Sequence, residues 1–228
     1  MYVLHYAPDN ASLVVRLALE ELGAPYRTVL VDRAAREQKS DAYRALCPTG
    51  LIPVLETGDG AIFETAAILL WLSDRHGGLA PAPDAPDRGA FLSWLFFLSN
   101  TLHADLIELF YPESRAMGDP EAQRALTETR ILAHLRLIEA ALAERPAWCR
   151  PEAPGAFGCY LASMIRWLAL YPAARPMKPA LDAYPAMRAV LTAMESRPAA
   201  QRAAAAEGLG PTFFTTPAHP RPPEGSAT

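Results

Sequence analysis

Three side chains in the short stretch YAPDNASL can donate a hydrogen bond to a ligand: Tyr6, Asn10 and Ser12. Ser12 falls where the first apolar helix begins. A hydroxyl at a helix start, beside the positive end of the dipole, favours a bound anion. The same serine also reads as a plain N-cap, and Tyr6 as a core aromatic. Further along, Glu64-Thr65 opens a second apolar helix. That pair offers a carboxylate for a cation and a helix start for an anion, or serves as an ordinary cap. Ile52-Pro53 stands at the entrance of a short strand, where a residue without a backbone donor is expected. Pro53 taken alone reads as a plain turn proline. His103 shares a helical face with Asn100, Ile107 and Tyr111 at spacings of three or four, with Phe110 beside it. A histidine there can touch a ligand or hydrogen-bond inside a helix bundle.

The elements that must hold these residues follow from pattern. MYVLHY and PYRTVLV read as strands, and SLVVRLALEELG as a helix ending on Gly23. SDAYRALCP is a short helix stopped by Pro48. IPVLET and AIFE are strands around Gly58-Asp59-Gly60, a hairpin signal, and ETAAILLWLSDRHGG is a helix. The order is β-α-β-α-β-β-α over residues 1–78. A proline-rich linker over 79–87 follows. Residues 88–208 read as helices at 88–114, 119–145, 155–171, 184–196 and 198–208, the third apolar nearly all round and therefore central. The tail, 209–228, has the composition of a loose arm, although Phe213 and Phe214 could dock.

The 228 residues are 51% hydrophobic, with a net charge of −4. A core is affordable, and a nucleic-acid partner is not expected without a basic face. No uninterrupted apolar run reaches the ~18 residues that suggest a membrane span. The N-terminus lacks a positively charged leader pattern. A cytoplasmic protein with no membrane partner is the expectation. Three cysteines (Cys47, Cys149, Cys159) are too scattered for a disulfide framework. The five histidines show no metal-ligand spacing, so no metal is expected.

This order resembles the soluble glutathione S-transferase superfamily. The resemblance is carried by Pro48 and Gly50, by Ile52-Pro53-Val54-Leu55, and by Glu64-Thr65 followed by AAILLWL. YAPDNASLVVRLALEELG is similar to the first-helix segment of bacterial beta-like members. The resemblance implies an α/β thioredoxin-like N-terminal domain plus an all-α helical-bundle C-terminal domain, a homodimer, and glutathione as co-substrate with a small electrophile. It implies a cis proline at Pro53 that turns the Ile52 backbone toward glutathione's cysteinyl unit. It places the γ-glutamyl carboxylate on Thr65, the ammonium near Glu64, and His103 beside the substrate or glutathione. Non-catalytic binding, a purely structural role, and glutathione-dependent isomerisation or dehalogenation are alternatives.

Such an enzyme needs a donor near the thiol, with Ser12 the first choice, then Tyr6 and Asn10. A hydrogen bond to a charged group is worth roughly 1.5–3 kcal/mol, and a helix start adds ~0.3–1 kcal/mol. At ~1.36 kcal/mol per unit, that lowers a thiol pKa of ~8.5 by roughly one to three units. Two departures from the family pattern stand out. Ala11 replaces the cysteine that beta-like relatives carry before this serine, which removes the nucleophile for disulfide chemistry. Gly158 replaces the aspartate of a capping box at the central helix, which predicts a weak helix start or a cap from elsewhere.

Overall fold

The structure is a computed structural model that describes residues 1–112 and 118–227. Four strands form one sheet in the order β2-β1-β3-β4. They are β1 (Tyr2–Tyr6), β2 (Tyr26–Leu30), β3 (Val54–Thr57) and β4 (Gly60–Phe63). β1 runs parallel to β2 and antiparallel to β3, and β3 and β4 make the hairpin. Helix α1 (Ser12–Leu22) crosses between the parallel strands, α2 (Asp41–Leu46) precedes β3, and α3 (Thr65–His76) follows β4. The expected order is present element for element.

Helix α1 is buried on every side over Ser12–Leu19, all eight residues included, and Ser12 and Arg16 are its polar members there. One face packs on the sheet and α3, the other on the C-terminal helices. Gly23 ends it in the left-handed conformation, φ 60°, a geometry glycine adopts without steric cost.

The helical half contains α4 (Arg88–Phe97), a π-helical turn (Leu98–Leu102), α5 (His103–Phe110), α6 (Pro120–Ala143), α7 (Gly155–Leu170), α8 (Pro185–Ser196) and α9 (Pro198–Glu207). Positions 113 and 114 of the expected 88–114 helix, and residue 228, lie outside the described residues. Arg88–Phe110 makes one stretch of 23 residues that contains an 18-residue window of mean hydropathy 1.2. By length and composition it could cross a bilayer, which a search for unbroken apolar runs passes over. Here one side of it supplies Phe91, Leu95, Leu98, Leu102, Leu106 and Leu109 to the core.

Helix α7 is buried along almost its whole length. Its missing capping box is replaced from the linker, where the Leu79 carbonyl accepts from the Ala156 N–H at 2.7 Å. Gly155 permits this approach, since a Cβ there would stand 2.5 Å from that same oxygen.

The two halves are joined by buried charge. The Arg166 guanidinium on α7 bonds both carboxylate oxygens of Asp9, at 2.8 and 3.0 Å, and both side chains are 0% exposed. Trp167 Nε1 and the Tyr171 hydroxyl also donate to Asp9. Nearby, Glu207 of α9 accepts from Arg16 Nε and from the Asp9 N–H, each at 2.8 Å.

The tail is not loose. Phe213 and Phe214 are buried, and Glu195 accepts from the N–H groups of Phe214 and Thr215. Arg166 donates to the carbonyls of Phe213 and Ala218 at 3.0 Å. Composition misses this because Phe213 and Phe214 bury apolar area while side-chain partners from distant helices satisfy the backbone.

Breaking a buried pair on one side leaves the other charge uncompensated. Arg166→Met is expected to destabilise the protein by about 3–5 kcal/mol. Double replacement with Asp9→Asn should recover part of that loss. Urea denaturation of the wild type and both variants checks both statements.

Candidate functional site

A cleft of about 540 Å³ opens between the sheet's loop end and helices α5 and α7. β1 and β2 are parallel, so the loops that follow them leave on one side. In mixed α/β sheets that side is the usual place for ligands. Asn10, Ile52, Pro53, Glu64, Thr65 and His103 are all brought to this cleft.

Ser12 and Tyr6 do not line it. Ser12 is 0% exposed, and its Oγ accepts from the Ala7 N–H (3.2 Å) and donates to the Ala7 carbonyl (3.0 Å). Its hydroxyl closes the loop ahead of α1 and is spent there. Tyr6 donates to Glu224 Oε1 at 2.5 Å, and burial together with that carboxylate raises its pKa well above the tyrosine range. A phenol so held is a poor stabiliser of a second anion. Asp9 takes φ 49°, and the residues that follow it, Asn10 and Ala11, line the cleft. Asn10 Oδ1 accepts from the Ala11 N–H at 2.8 Å, which leaves the Nδ2 hydrogens as donors.

Opposite, the Ile52–Pro53 bond is cis, and both residues face the cleft. Glu64 sits at φ 70°, ψ 116°, a sparsely populated region for a side-chain-bearing residue. Such conformations cost about 1–3 kcal/mol and concentrate at functional sites. Glu64 makes no side-chain cap bond to α3, although its carbonyl accepts from Ile68. Its carboxylate is therefore not spent as a cap. Thr65, the first residue of α3, is buried, and its side chain faces the Tyr160 hydroxyl.

His103 Nδ1 lies 2.8 Å from the same Tyr160 hydroxyl, and its ring is 5.6 Å from that of Trp167. Trp167 also lines the cleft. Burial lowers the His103 pKa to about 4, so the imidazole is neutral at pH 7. In the tautomer where Tyr160 donates to Nδ1, the ring proton sits on Nε2 and can donate to a ligand. The π-helical turn ahead of His103 changes the helix phase, so that Ser99 rather than Asn100 joins it in the cleft.

Three polar residues of the loop after β2 line the cleft and escape sequence reasoning: Arg33, Gln38 and Lys39. Lys39 Nζ donates to the Gly50 carbonyl at 2.9 Å, and Arg33 Nη2 to the Tyr111 hydroxyl at 3.2 Å. Gln38 Oε1 is buried without a partner among the described residues. All three lie in the loop after β2, and the parallel β1–β2 pairing was the available signal that this loop belongs to the site. The cleft thus holds an unspent carboxylate, a helix start, a cationic rim and an orphan acceptor. That set fits an extended ligand with one ammonium, two carboxylates and amide N–H groups.

The depressed pKa of His103 has a consequence for stability. Unfolded, the ring takes a proton below about 6.5; folded, it resists protonation until about 4. Its contribution is whole above pH 6.5 and shrinks as pH falls toward 4. Urea midpoints of the wild type should drop more between pH 7 and pH 4.5 than those of His103→Gln.

Known proteins match both the sequence and the fold. Residues 11–75 fit the family model described as glutathione S-transferase, N-terminal domain. Glutathione S-transferase F9 of Arabidopsis thaliana is 30% identical over 57% of this chain and 61% of its own length. The chain therefore spans less than two thirds of that plant relative. A maleylpyruvate isomerase of Ralstonia sp is 30% identical, over 72% of this chain and 81% of the relative. A sphingomonad glutathione S-transferase solved in complex with glutathione is 31% identical, with a TM-score of 0.73, over 91% of this chain and all of that one. This chain belongs to the glutathione S-transferase superfamily.

Proposed function

We propose that the cleft binds glutathione and lowers the pKa of its thiol for attack on a small electrophilic molecule. The observation that carries this is the Glu64–Thr65 corner, with its uncapped carboxylate and helix start, facing Ile52-Pro53 across one cleft. The γ-glutamyl ammonium would pair with Glu64 and its carboxylate with the start of α3. The cysteinyl unit would pair with the Ile52 backbone in strand fashion, and the glycyl carboxylate would reach Lys39 with an amide on Gln38. The thiol then falls near Asn10 and Ala11 at the start of α1. Asn10 Nδ2 is the donor, assisted by the helix dipole, and Ser12 acts through the loop it closes. The solved sphingomonad relative, named as a complex with glutathione, supports this reading.

The hydrophobic wall of Ile107, Phe110, Tyr111 and Trp167 would receive the electrophile. A glutathione-dependent isomerase is the second reading, favoured by neutral His103 in the cleft and by the relative named maleylpyruvate isomerase. Ala11 lines the cleft where a nucleophilic cysteine would have to stand, so disulfide chemistry is not part of the proposal. A homodimer in the cytoplasm with a role in detoxification completes it.

Thiolate ultraviolet absorbance during glutathione titration tests this. The wild type should show bound thiolate near neutral pH. Asn10→Ala should still bind but raise the thiol pKa by about 1–2 units, the worth of one hydrogen bond to a charged group. Glu64→Gln should weaken binding about tenfold, or 1.4 kcal/mol, with the thiol pKa unchanged. Absence of glutathione binding by the wild type sinks the proposal.

A further inference from the structure

The chain after α9 returns to the N-terminal sheet and ends its described course inside the cleft. We propose that residues 219–227 form a docked strap that walls the electrophile end of the cleft and limits the size of the second substrate. This rests on the glutathione reading above.

Specific contacts hold the strap among the described residues. The His219 ring packs edge-on to Tyr171 with centroids 5.6 Å apart. The Arg221 N–H donates to the Gly208 carbonyl at 2.8 Å. Glu224 accepts from the Tyr6 hydroxyl, Gly225 rests against Leu30 and Pro8, and the Ala227 carbonyl accepts from Arg33 Nη1 at 2.5 Å. Tyr171, Arg33 and Ala227 are themselves cleft residues. Arg33 reaches Ala227 with one nitrogen and the Tyr111 hydroxyl with the other, bridging the strap to the end of α5.

The anchoring is uneven along the tail. Up to Ala218 the chain is held by fully buried groups, namely Arg166 on two carbonyls and Phe214 in the core. Beyond it the strap has no helix or strand, and of the contacts named above only the Arg221 N–H bond joins backbone to backbone. Segments with such sparse anchoring open at low free-energy cost. A small S-substituent fits beneath the docked strap. A bulky one must displace it.

The footprint of the strap supplies a test outside the cleft. Gly225 has φ 72°, and a Cβ there would stand 2.6 Å from Leu30 Cδ1. Gly225→Val should therefore lift the strap, because a β-branched residue is an outlier at positive φ. Glu224→Ala releases it from Tyr6 by a different route. Binding of S-methylglutathione and S-(4-nitrobenzyl)glutathione is measured by calorimetry, with hydrogen exchange of 219–227 reporting strap release. Both variants should release the strap and tighten binding of the nitrobenzyl compound by about tenfold relative to the methyl compound. An unchanged ratio with the strap released overturns the proposal. A strap that stays protected in both variants overturns the docking account. If S-methylglutathione fails to bind the wild type, the glutathione reading itself falls and takes the strap's role with it.

Discussion

The buried contact between Asp9 and Arg166 is the constraint on which the site depends. Neither side chain touches water. Two such ions are costly to desolvate, and the cost is offset only when geometry is good and the remaining lone pairs are bonded. Both conditions hold. The carboxylate accepts from Arg166 twice, from Trp167 and from Tyr171, and the guanidinium also serves the tail carbonyls. One pair therefore ties together the loop after β1, the central helix and the returning tail. The loop it holds is the one that carries Asn10 and Ala11 to the cleft.

The cleft divides its polar groups by availability. Asp9, Ser12 and Tyr6 are chemically capable but committed to partners. Glu64, the Nδ2 of Asn10, Gln38 Oε1 and the Nε2 side of His103 are not engaged in the same way. The strained backbone at Glu64 keeps its carboxylate off the helix cap. Neutral His103 adds a hydrogen-bonding group without adding charge, which suits a cleft that already carries Arg33 and Lys39.

Much of this was legible in the residues. Local signals were sufficient for the strand and helix order: the Gly58-Asp59-Gly60 turn, the Gly23 stop and the proline-rich linker. The spacing from Ile52-Pro53 to Glu64-Thr65 located one wall of the cleft. Side-chain direction was not legible. Ser12 begins α1 as expected, yet its hydroxyl turns back to Ala7, and no spacing rule reveals that. The π-helical turn at Leu98–Leu102 has no sequence signature, so Asn100 was placed on a face it does not share. Cation placement at Lys39 and Arg33 needed the sheet's parallel pairing. The tail's order depended on Glu195 and Arg166, charged residues whose partners are backbone groups many residues away.

The burial of α1 on both faces bears on how the chain acquires its fold. A thioredoxin-like unit would normally close its core within its own segment. Here α1 reaches across to α7 and α9, the latter nearly two hundred positions downstream. Contacts of such sequence separation form late, because the long loop between them must first be ordered. During synthesis the N-terminal third emerges with one greasy side of its first helix uncovered. That side stays exposed until Pro198–Glu207 has left the ribosome. The two halves, separable on paper at the proline-rich linker, mature as one cooperative unit, and a nascent chain halted before α9 is a natural client for a chaperone.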